Sequence, residues 1–356
     1  MILKNTPIKI EGVAATISQN IIPIVEYCEG LATEKKLRRI IKETGFESLS
    51  IADNETCTSD MCFQAAENLF NNGGFNKDDI KALIFISQMP DYQLPATAYI
   101  LQDRLKLGKN LVAFDINLGC QGFVYGLYVA SSLLTSIGGG YQNAKVLICC
   151  GDVRPRNEKA QNINTGVLFG DAGACAIVSK NSAENFTLFN IDSYGERWDK
   201  LVDRKHGVRH FKEVLTGKAE RGDCYIVEEM DGAAIMDFTL FEVVDNIKGL
   251  ICAAQISKEE IGAYLFHQPQ KMLVNDMAEK LGLNPEIVIQ NAQHIGNTLA
   301  ATIPLLLTEI GADWNNRANK KVLMSGFGVG LSVASTILNL DNLKVMETEK
   351  YGRSNI

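Results

Sequence analysis

The sequence predicts an α/β protein whose mainly parallel or mixed sheets are covered by helices on both faces. Three observations carry that prediction. Short apolar runs alternate with helical periods along the whole chain. No stretch rich in Pro, Ser or charge separates one part from another. At 356 residues the chain exceeds what one ordinary core holds, which calls for two closely packed halves, residues 1–180 and 181–356.

In the first half, strands are expected at residues 8–15, 82–87, 111–114, 145–151 and 174–179, where apolar and β-branched residues cluster. Helices are expected at 59–71, 97–105 and 120–137, where the apolar period lengthens. The second half repeats the theme with strands at 186–194, 263–267 and 321–326 and helices at 236–254, 272–281 and 298–310. Val146-Leu-Ile-Cys-Cys-Gly is echoed by Val322-Leu-Met-Ser-Gly-Phe-Gly, a buried strand before a glycine turn late in each half. That echo points to an internal duplication.

Composition narrows the function classes. Hydrophobic residues at 46% with 22% charged describe a soluble globular protein. A net charge of −7 gives no reason to expect nucleic-acid binding or an anionic membrane surface. No Asp, Glu, Lys or Arg stands between Asp115 and Lys145, long enough to imitate a membrane span. Asn117, Gln121 and Asn143 interrupt it, so a helix buried inside the protein explains it better. Nine cysteines, no secretory leader and no CxxC pair imply a reducing, cytoplasmic setting and no metal site.

Most of those cysteines read as core. Cys149, Cys150 and Cys175 lie in apolar runs, and Cys28, Cys57, Cys62, Cys224 and Cys252 have no ligand-like spacing. Cys120 differs. It sits in Asp115-Ile-Asn-Leu-Gly-Cys-Gln-Gly-Phe-Val-Tyr-Gly-Leu127, where a short strand turns sharply into the long uncharged helix. A thiol at such a junction faces backbone N–H groups and the positive end of the helix dipole, which favour the nucleophilic thiolate.

A thiolate acting on an acyl group needs donors that stabilise developing negative charge. His267, in Tyr264-Leu-Phe-His-Gln-Pro-Gln, stands where a strand ends. Asn297, in His294-Ile-Gly-Asn-Thr, stands at a turn that opens a helix. A core histidine and a helix cap are the ordinary roles for such residues. Strand ends are also where open α/β sheets gather their functional groups. Ser325-Gly-Phe-Gly-Val-Gly330 offers backbone N–H groups beside a ligand carbonyl, or simply a turn. The basic segment Arg204, Lys205, His206, Arg209, His210 and Lys212 reads first as a solvated loop and second as a landing place for phosphates or an acidic carrier.

Taken together, the cysteine elbow, Leu168-Phe-Gly-Asp-Ala-Gly-Ala-Cys, Phe266-His-Gln-Pro-Gln, His294-Ile-Gly-Asn-Thr and Gly326-Phe-Gly-Val-Gly resemble β-ketoacyl-[acyl-carrier-protein] synthase III, among the thiolase-fold condensing enzymes. The resemblance implies a five-layered αβαβα fold of two duplicated halves and a homodimer. Cys120 is then the acyl-carrying nucleophile, with His267 and Asn297 as donors to the enolate of a decarboxylating malonyl thioester. The backbone N–H groups of Cys120 and Val329 form the oxyanion hole, and Leu94 and Phe327 wall the acyl pocket. Lys271, Arg204 and Arg209 are the contacts for carrier or phosphate. No cofactor is implied beyond phosphopantetheine thioesters as substrates. The partners are acyl carrier protein, acyl-CoA or acyl-carrier donors and malonyl-carrier.

The chain departs from the family where relatives grip nucleotide or carrier. Arg39 replaces a stacking aromatic, Glu43 an arginine and Leu49 part of a basic pair, while Gln270 and Met272 replace an Asn and a docking arginine. The leading expectation is decarboxylative condensation giving a 3-oxoacyl-carrier product. An acyltransferase that passes the Cys120 acyl group to a hydroxyl or amine is the alternative. A catalytically silent subunit is disfavoured by the complete Cys–His–Asn set.

Overall fold

The computed structural model describes residues 1–30, 32–137, 140–156, 166–204, 207–218, 228–316 and 319–352. Two mixed sheets form its frame. The seven-stranded sheet runs in the order Lys344–Val345, Ile8–Ser18, Ala172–Lys180, Lys145–Asp152, Ile80–Ile86 and Val112–Ile116, with Glu349–Tyr351 also on Ile8–Ser18. The five-stranded sheet runs Ile2–Asn5, Thr187–Ser193, Ser332–Asn339, Lys321–Gly328 and Ile261–Phe266. Four consecutive strands match between them. Each series has two antiparallel pairings followed by a parallel one, and Lys145–Asp152 occupies the place that Lys321–Gly328 holds in the other sheet. The short sequence echo falls on these two equivalent strands.

Side-chain alternation sorts the layers. On Ile80–Ile86, Ala82, Ile84 and Ile86 enter the core between the sheets, whereas Leu83 and Phe85 face the outer helices Thr58–Asn71 and Thr97–Arg104. On Ile261–Phe266, Ala263 and Leu265 face the central core, while Tyr264 and Phe266 meet the outer helices Val244–Ala254 and Lys271–Leu281. Period-two strands buried on both faces give the near-continuous apolar runs seen in the sequence. The central layer consists of Gly122–Ile137 and Thr302–Glu309, whose Phe123, Leu127, Ile303 and Leu306 are buried between the two sheets. Helix, sheet, helix, sheet and helix make five layers, as expected. Among the described residues no helix is long and apolar enough to cross a membrane, and the uncharged stretch forms the central helix instead.

Several elements differ from the sequence reading. The helix expected over 236–254 is broken into Gly232–Phe238, a π-helical turn Thr239–Val243, and Val244–Ala254. Thr239 is buried there, and its hydroxyl donates back to the Ile235 carbonyl. The helix expected from residue 298 begins at Thr302, after a 3₁₀ turn at Leu299–Ala301, because Leu299 adopts a left-handed φ of 51°. Outside the elements expected above lie the helix Glu34–Thr44, which Thr33 caps, and the strand Ser332–Asn339. Of the basic segment, Arg209, His210 and Lys212 ride on the helix Val208–Leu215; Lys205 and His206, like Cys224, lie outside the described residues.

Close approach explains one glycine in the frame. A Cβ on Gly173 would stand 2.6 Å from the Cys62 backbone nitrogen and 2.7 Å from the Met61 carbonyl carbon, so the strand Ala172–Lys180 touches the helix Thr58–Asn71 backbone to backbone. Backbone cannot rotate away as a side chain can. Gly173→Ala is expected to destabilise the fold by about 1–3 kcal/mol through overpacking, opposite to the gain that alanine brings at a relaxed site. The midpoint of urea unfolding measures it; an unchanged midpoint would show that helix and strand separate without cost.

Candidate active site

Cys120 stands between the strand Val112–Ile116 and the helix Gly122–Ile137, in the sharp elbow the sequence suggested. The Gly122 N–H donates to the Gly119 carbonyl at 2.7 Å, which tightens the turn and aims the helix start at the thiol. Cys120 is 6% exposed. The glycine run presses onto it from the other sheet. A Cβ on Gly326 would meet Gln121 Cα at 2.6 Å and the Cys120 carbonyl at 2.7 Å, and one on Gly328 would meet Cys120 Sγ at 3.1 Å. Gln121 then locks the two pieces together, its amide donating to the Val329 carbonyl at 2.9 Å and to Ser332 Oγ at 2.8 Å. The run is therefore the end of a strand fitted against the elbow.

His267 follows directly on the strand Ile261–Phe266, and its backbone N–H continues the pairing to the Ser325 carbonyl at 2.9 Å. The ring is 2% exposed and packs edge-on against Phe327, with centroids 5.6 Å apart. Burial penalises the imidazolium and pushes the pKa down to about 3, so the ring is neutral at physiological pH. Nδ1 is buried without a hydrogen-bond partner. The tautomer that leaves Nδ1 bare and carries the proton on Nε2 keeps a donor for the cavity.

Asn297 pairs with the 168–170 segment, its N–H donating to the Leu168 carbonyl at 2.8 Å and its carbonyl accepting from Gly170 at 2.9 Å. Its side-chain oxygen accepts the Leu299 N–H at 2.9 Å. With Oδ1 so used, the amide group is what Asn297 offers a ligand. Cys120, His267 and Asn297 all line one cavity of about 340 Å³, together with Phe327, Gly328 and Val329.

The rest of the lining is mostly apolar and rich in methionine: Met89, Met230, Met236 and Met272. Asp203 and Asp276 are its charged members, and among the described residues that line it there is no Lys or Arg. Leu94, 81% exposed, is not among the lining residues, nor are Lys271, Arg204 and Arg209. Lys271 borders an adjoining groove with Lys42, which shares Met272 and Asp276 with the cavity. Arg204 is occupied by Glu229 at 2.8 Å and lies over the Trp198 ring; Arg209 is exposed. Arg39 pairs with Glu43 one helical turn on, and Leu49 is buried.

Five of the other cysteines take the core role expected, whereas Cys57 and Cys252 are exposed. Cys28, Cys62, Cys149, Cys150 and Cys175 are buried, and burial pushes the thiols of Cys150 and Cys175 well up, away from reactivity. Sequence reasoning passed over Gln121 and Asp152. Gln121 lies beside the nucleophile, and Asp152 ends an apolar run; an acid in that place was the available signal.

The buried imidazole has a consequence for stability. Unfolded, His267 takes up a proton near pH 6.5, whereas the folded ring refuses it down to about 3. For a base with a depressed folded pKa, stability is intact above the unfolded value and drains as pH falls toward the folded one, at about 1.4 kcal/mol per pH unit. His267→Asn is expected to lose about 2 kcal/mol less than the parent between about pH 6 and about pH 4, read from urea unfolding at both values. Equal losses in the two chains would contradict the burial argument.

Comparison with known proteins gives the family. Family models described as 3-oxoacyl-[acyl-carrier-protein (ACP)] synthase III and as its C-terminal part match residues 114–195 and 251–340. The beta-ketoacyl-[acyl-carrier-protein] synthase III of Streptococcus mutans is 32% identical over 305 residues, covering 85% of this chain and 90% of that protein. A crystal structure of 3-oxoacyl-(acyl-carrier protein) synthase from Burkholderia xenovorans LB400 superposes with a TM-score of 0.88 at 31% identity, covering 99% of both chains. The corresponding Thermus thermophilus synthase III gives 0.79 at 27% identity, covering 94% of this chain and 99% of that one. The chain belongs to the 3-oxoacyl-[acyl-carrier-protein] synthase III family.

Proposed function

We propose that this protein joins an acyl primer to a malonyl unit by decarboxylative condensation and releases a 3-oxoacyl thioester. The reading rests on one observation: a cysteine at a helix start, a buried neutral imidazole and an asparagine amide converge on a single apolar cavity. In the first half-reaction the Cys120 thiolate attacks the carbonyl of an acyl thioester. The carbon–sulfur bond to the donor breaks, and the donor thiol leaves with a proton. The N–H groups of Cys120 and Val329 hold the oxyanion in between. The Gln121 bond to the Val329 carbonyl anchors the following peptide, Val329–Gly330, and so steadies the turn that presents the Val329 N–H.

In the second half-reaction a malonyl thioester enters. Loss of carbon dioxide leaves its bonding pair on the enolate, whose oxygen accepts hydrogen bonds from His267 Nε2 and Asn297 Nδ2. Both donors are neutral and weakly acidic, so neither gives up the proton that would quench the enolate. The carbanion attacks the acyl-Cys120 carbonyl, a carbon–carbon bond forms, and the cysteine sulfur departs as thiolate. No metal or organic cofactor enters this sequence. The substrates carry the phosphopantetheine arm, and acyl carrier protein is the partner.

The donor is bound to a carrier rather than to coenzyme A. Asp276 would repel the nucleotide phosphates, and no cation among the described lining residues would hold them. Lys271 and the exposed Arg209, more than the occupied Arg204, are the cations that meet an acidic carrier. Phe327 walls the acyl pocket. Leu94, on its exposed loop, fits a wall supplied across a homodimer interface. Residues 1–180 and 181–356 are the duplicated halves, a reading supported by the matching strand orders. The protein acts in the cytoplasm.

Cys120→Ala is expected to abolish the acyl mass shift seen by intact-protein mass spectrometry, and acylation of that variant would mean another nucleophile. His267→Ala is expected to lower carbon dioxide release from malonyl thioester by about 100- to 1,000-fold with acylation far less affected. Release at the parent rate would leave acyl transfer to a hydroxyl or amine as the better reading. Acetyl-carrier is expected to acylate Cys120 faster than acetyl-CoA at matched concentration and to slow with salt, because the docking is electrostatic. Fast, salt-independent priming by acetyl-CoA would refute the carrier preference.

A further inference from the structure

Asp152 is 0% exposed and ends the strand Lys145–Asp152, below the cavity rather than in its lining. Its carboxylate gathers donors from two separate pieces of chain. Oδ1 accepts the Gln88 N–H at 2.7 Å and the Ser87 hydroxyl at 3.0 Å, and Oδ2 accepts the Ala300 N–H at 3.2 Å. The Ser87 hydroxyl itself accepts the Met89 N–H at 2.8 Å, so its proton is committed to Asp152.

Each piece carries part of the site. Gln88 lines the cavity, and its side-chain amide lies against Gly119, where a Cβ would stand 2.3 Å from Gln88 Oε1, next to Cys120. Ala300 closes the turn that begins at Asn297. That turn is pinned at its start by the Leu168 and Gly170 pairing and at its end by Asp152, and between the pins Leu299 is forced to φ 51°. A leucine in the left-handed region persists only where its surroundings hold it. Asn297 Oδ1 binds the N–H of that same Leu299, so the aim of the Asn297 amide depends on the turn.

We infer that Asp152 is a positioning residue for the decarboxylation step, holding the Asn297 turn and the Gln88 wall in register about the thiol. This rests on the condensing reading above. The ionised carboxylate is the form that fits, because all three of its partners donate. Protonation would place a hydrogen against one of those donors and break a bond to the turn or to the loop. Burial raises the acid to a pKa of about 7, so this protonation falls in an accessible range. The charged and titratable groups around it are Arg154 on the same segment, Asp171 beside the paired strand residue Ala172, and the buried thiol of Cys150. Arg154 opposes the rise, and the Cys150 thiol, pushed well up, carries no charge there. His267, with its pKa near 3, contributes nothing at neutral pH.

The test measures carbon dioxide release from malonyl-carrier against pH in the Cys120→Ala chain, so that titration of the reacting thiol is absent. The rate is expected to fall with acid, with a limb at about pH 7. Asp152→Asn in the same background presents an NH₂ where an acceptor stood and is expected to release carbon dioxide about 10- to 100-fold more slowly, with the limb gone. On the parent background, Asp152→Asn is expected to keep Cys120 acylation within a few-fold. Release at the unsubstituted rate, equal loss of acylation, or an acid limb that survives the substitution would overturn the role. Should Asp152→Asn fail to fold, the profile of the Cys120→Ala chain decides alone, and a flat profile overturns it. A parent chain that neither takes an acyl group nor releases carbon dioxide sinks the condensing reading itself, a different result from a competent parent indifferent to Asp152.

Discussion

The strand Lys321–Gly328 reaches the nucleophile only because two of its residues have no side chain. With methyl groups at Gly326 and Gly328, the strand end would be held away from the Cys120 elbow by the backbone of Gln121 and by the sulfur. Everything else in the site follows from that approach. It brings the Val329 peptide within reach of Gln121. It sets Phe327 against the His267 ring, and it brings the end of a strand from one sheet against the elbow that follows a strand of the other. Removing side chains there weakens local packing, and the site accepts that cost for backbone contact with a reacting atom.

Burial does the second part of the work. An imidazole in water would be partly charged near neutral pH, and a charged ring would donate strongly but also hand over its proton. The His267 ring sits in the cavity wall against Phe327 and stays neutral. Asn297 has no charge to lose, and its own turn consumes the oxygen end of its amide. Two donors that cannot protonate a carbanion are thus produced by different means, desolvation in one case and local hydrogen bonding in the other.

Much of this was legible in the chain because it is local. The elbow at Cys120, the strand end before His267 and the turn at Asn297 are each a few residues long, and their periodicity or turn chemistry is complete within the segment. The five layers also followed, since strands buried on both faces need helices over both. What escaped depends on distant partners. Nothing near Leu299 in sequence reveals that its left-handed conformation is held by Asp152, 147 residues upstream. The π-turn at Thr239–Val243 arises within a pattern that reads as one continuous helix. Leu94 was expected in the acyl pocket, and within one chain it points to solvent, because such a wall depends on what covers the loop.

The two ends of the chain are sewn in crosswise. Ile2–Asn5 belongs to the five-stranded sheet, whose other members begin at Thr187, and the strands at Lys344–Val345 and Glu349–Tyr351 belong to the sheet that opens with Ile8–Ser18. Neither sheet is therefore complete until nearly the whole chain has been made. A polypeptide emerging from the ribosome cannot finish one layer and wait for the next, and long-range pairing of this kind makes for slow folding. The same stitching means that trimming either terminus would open an edge in the sheet of the opposite half, so damage at one end would be felt at the other.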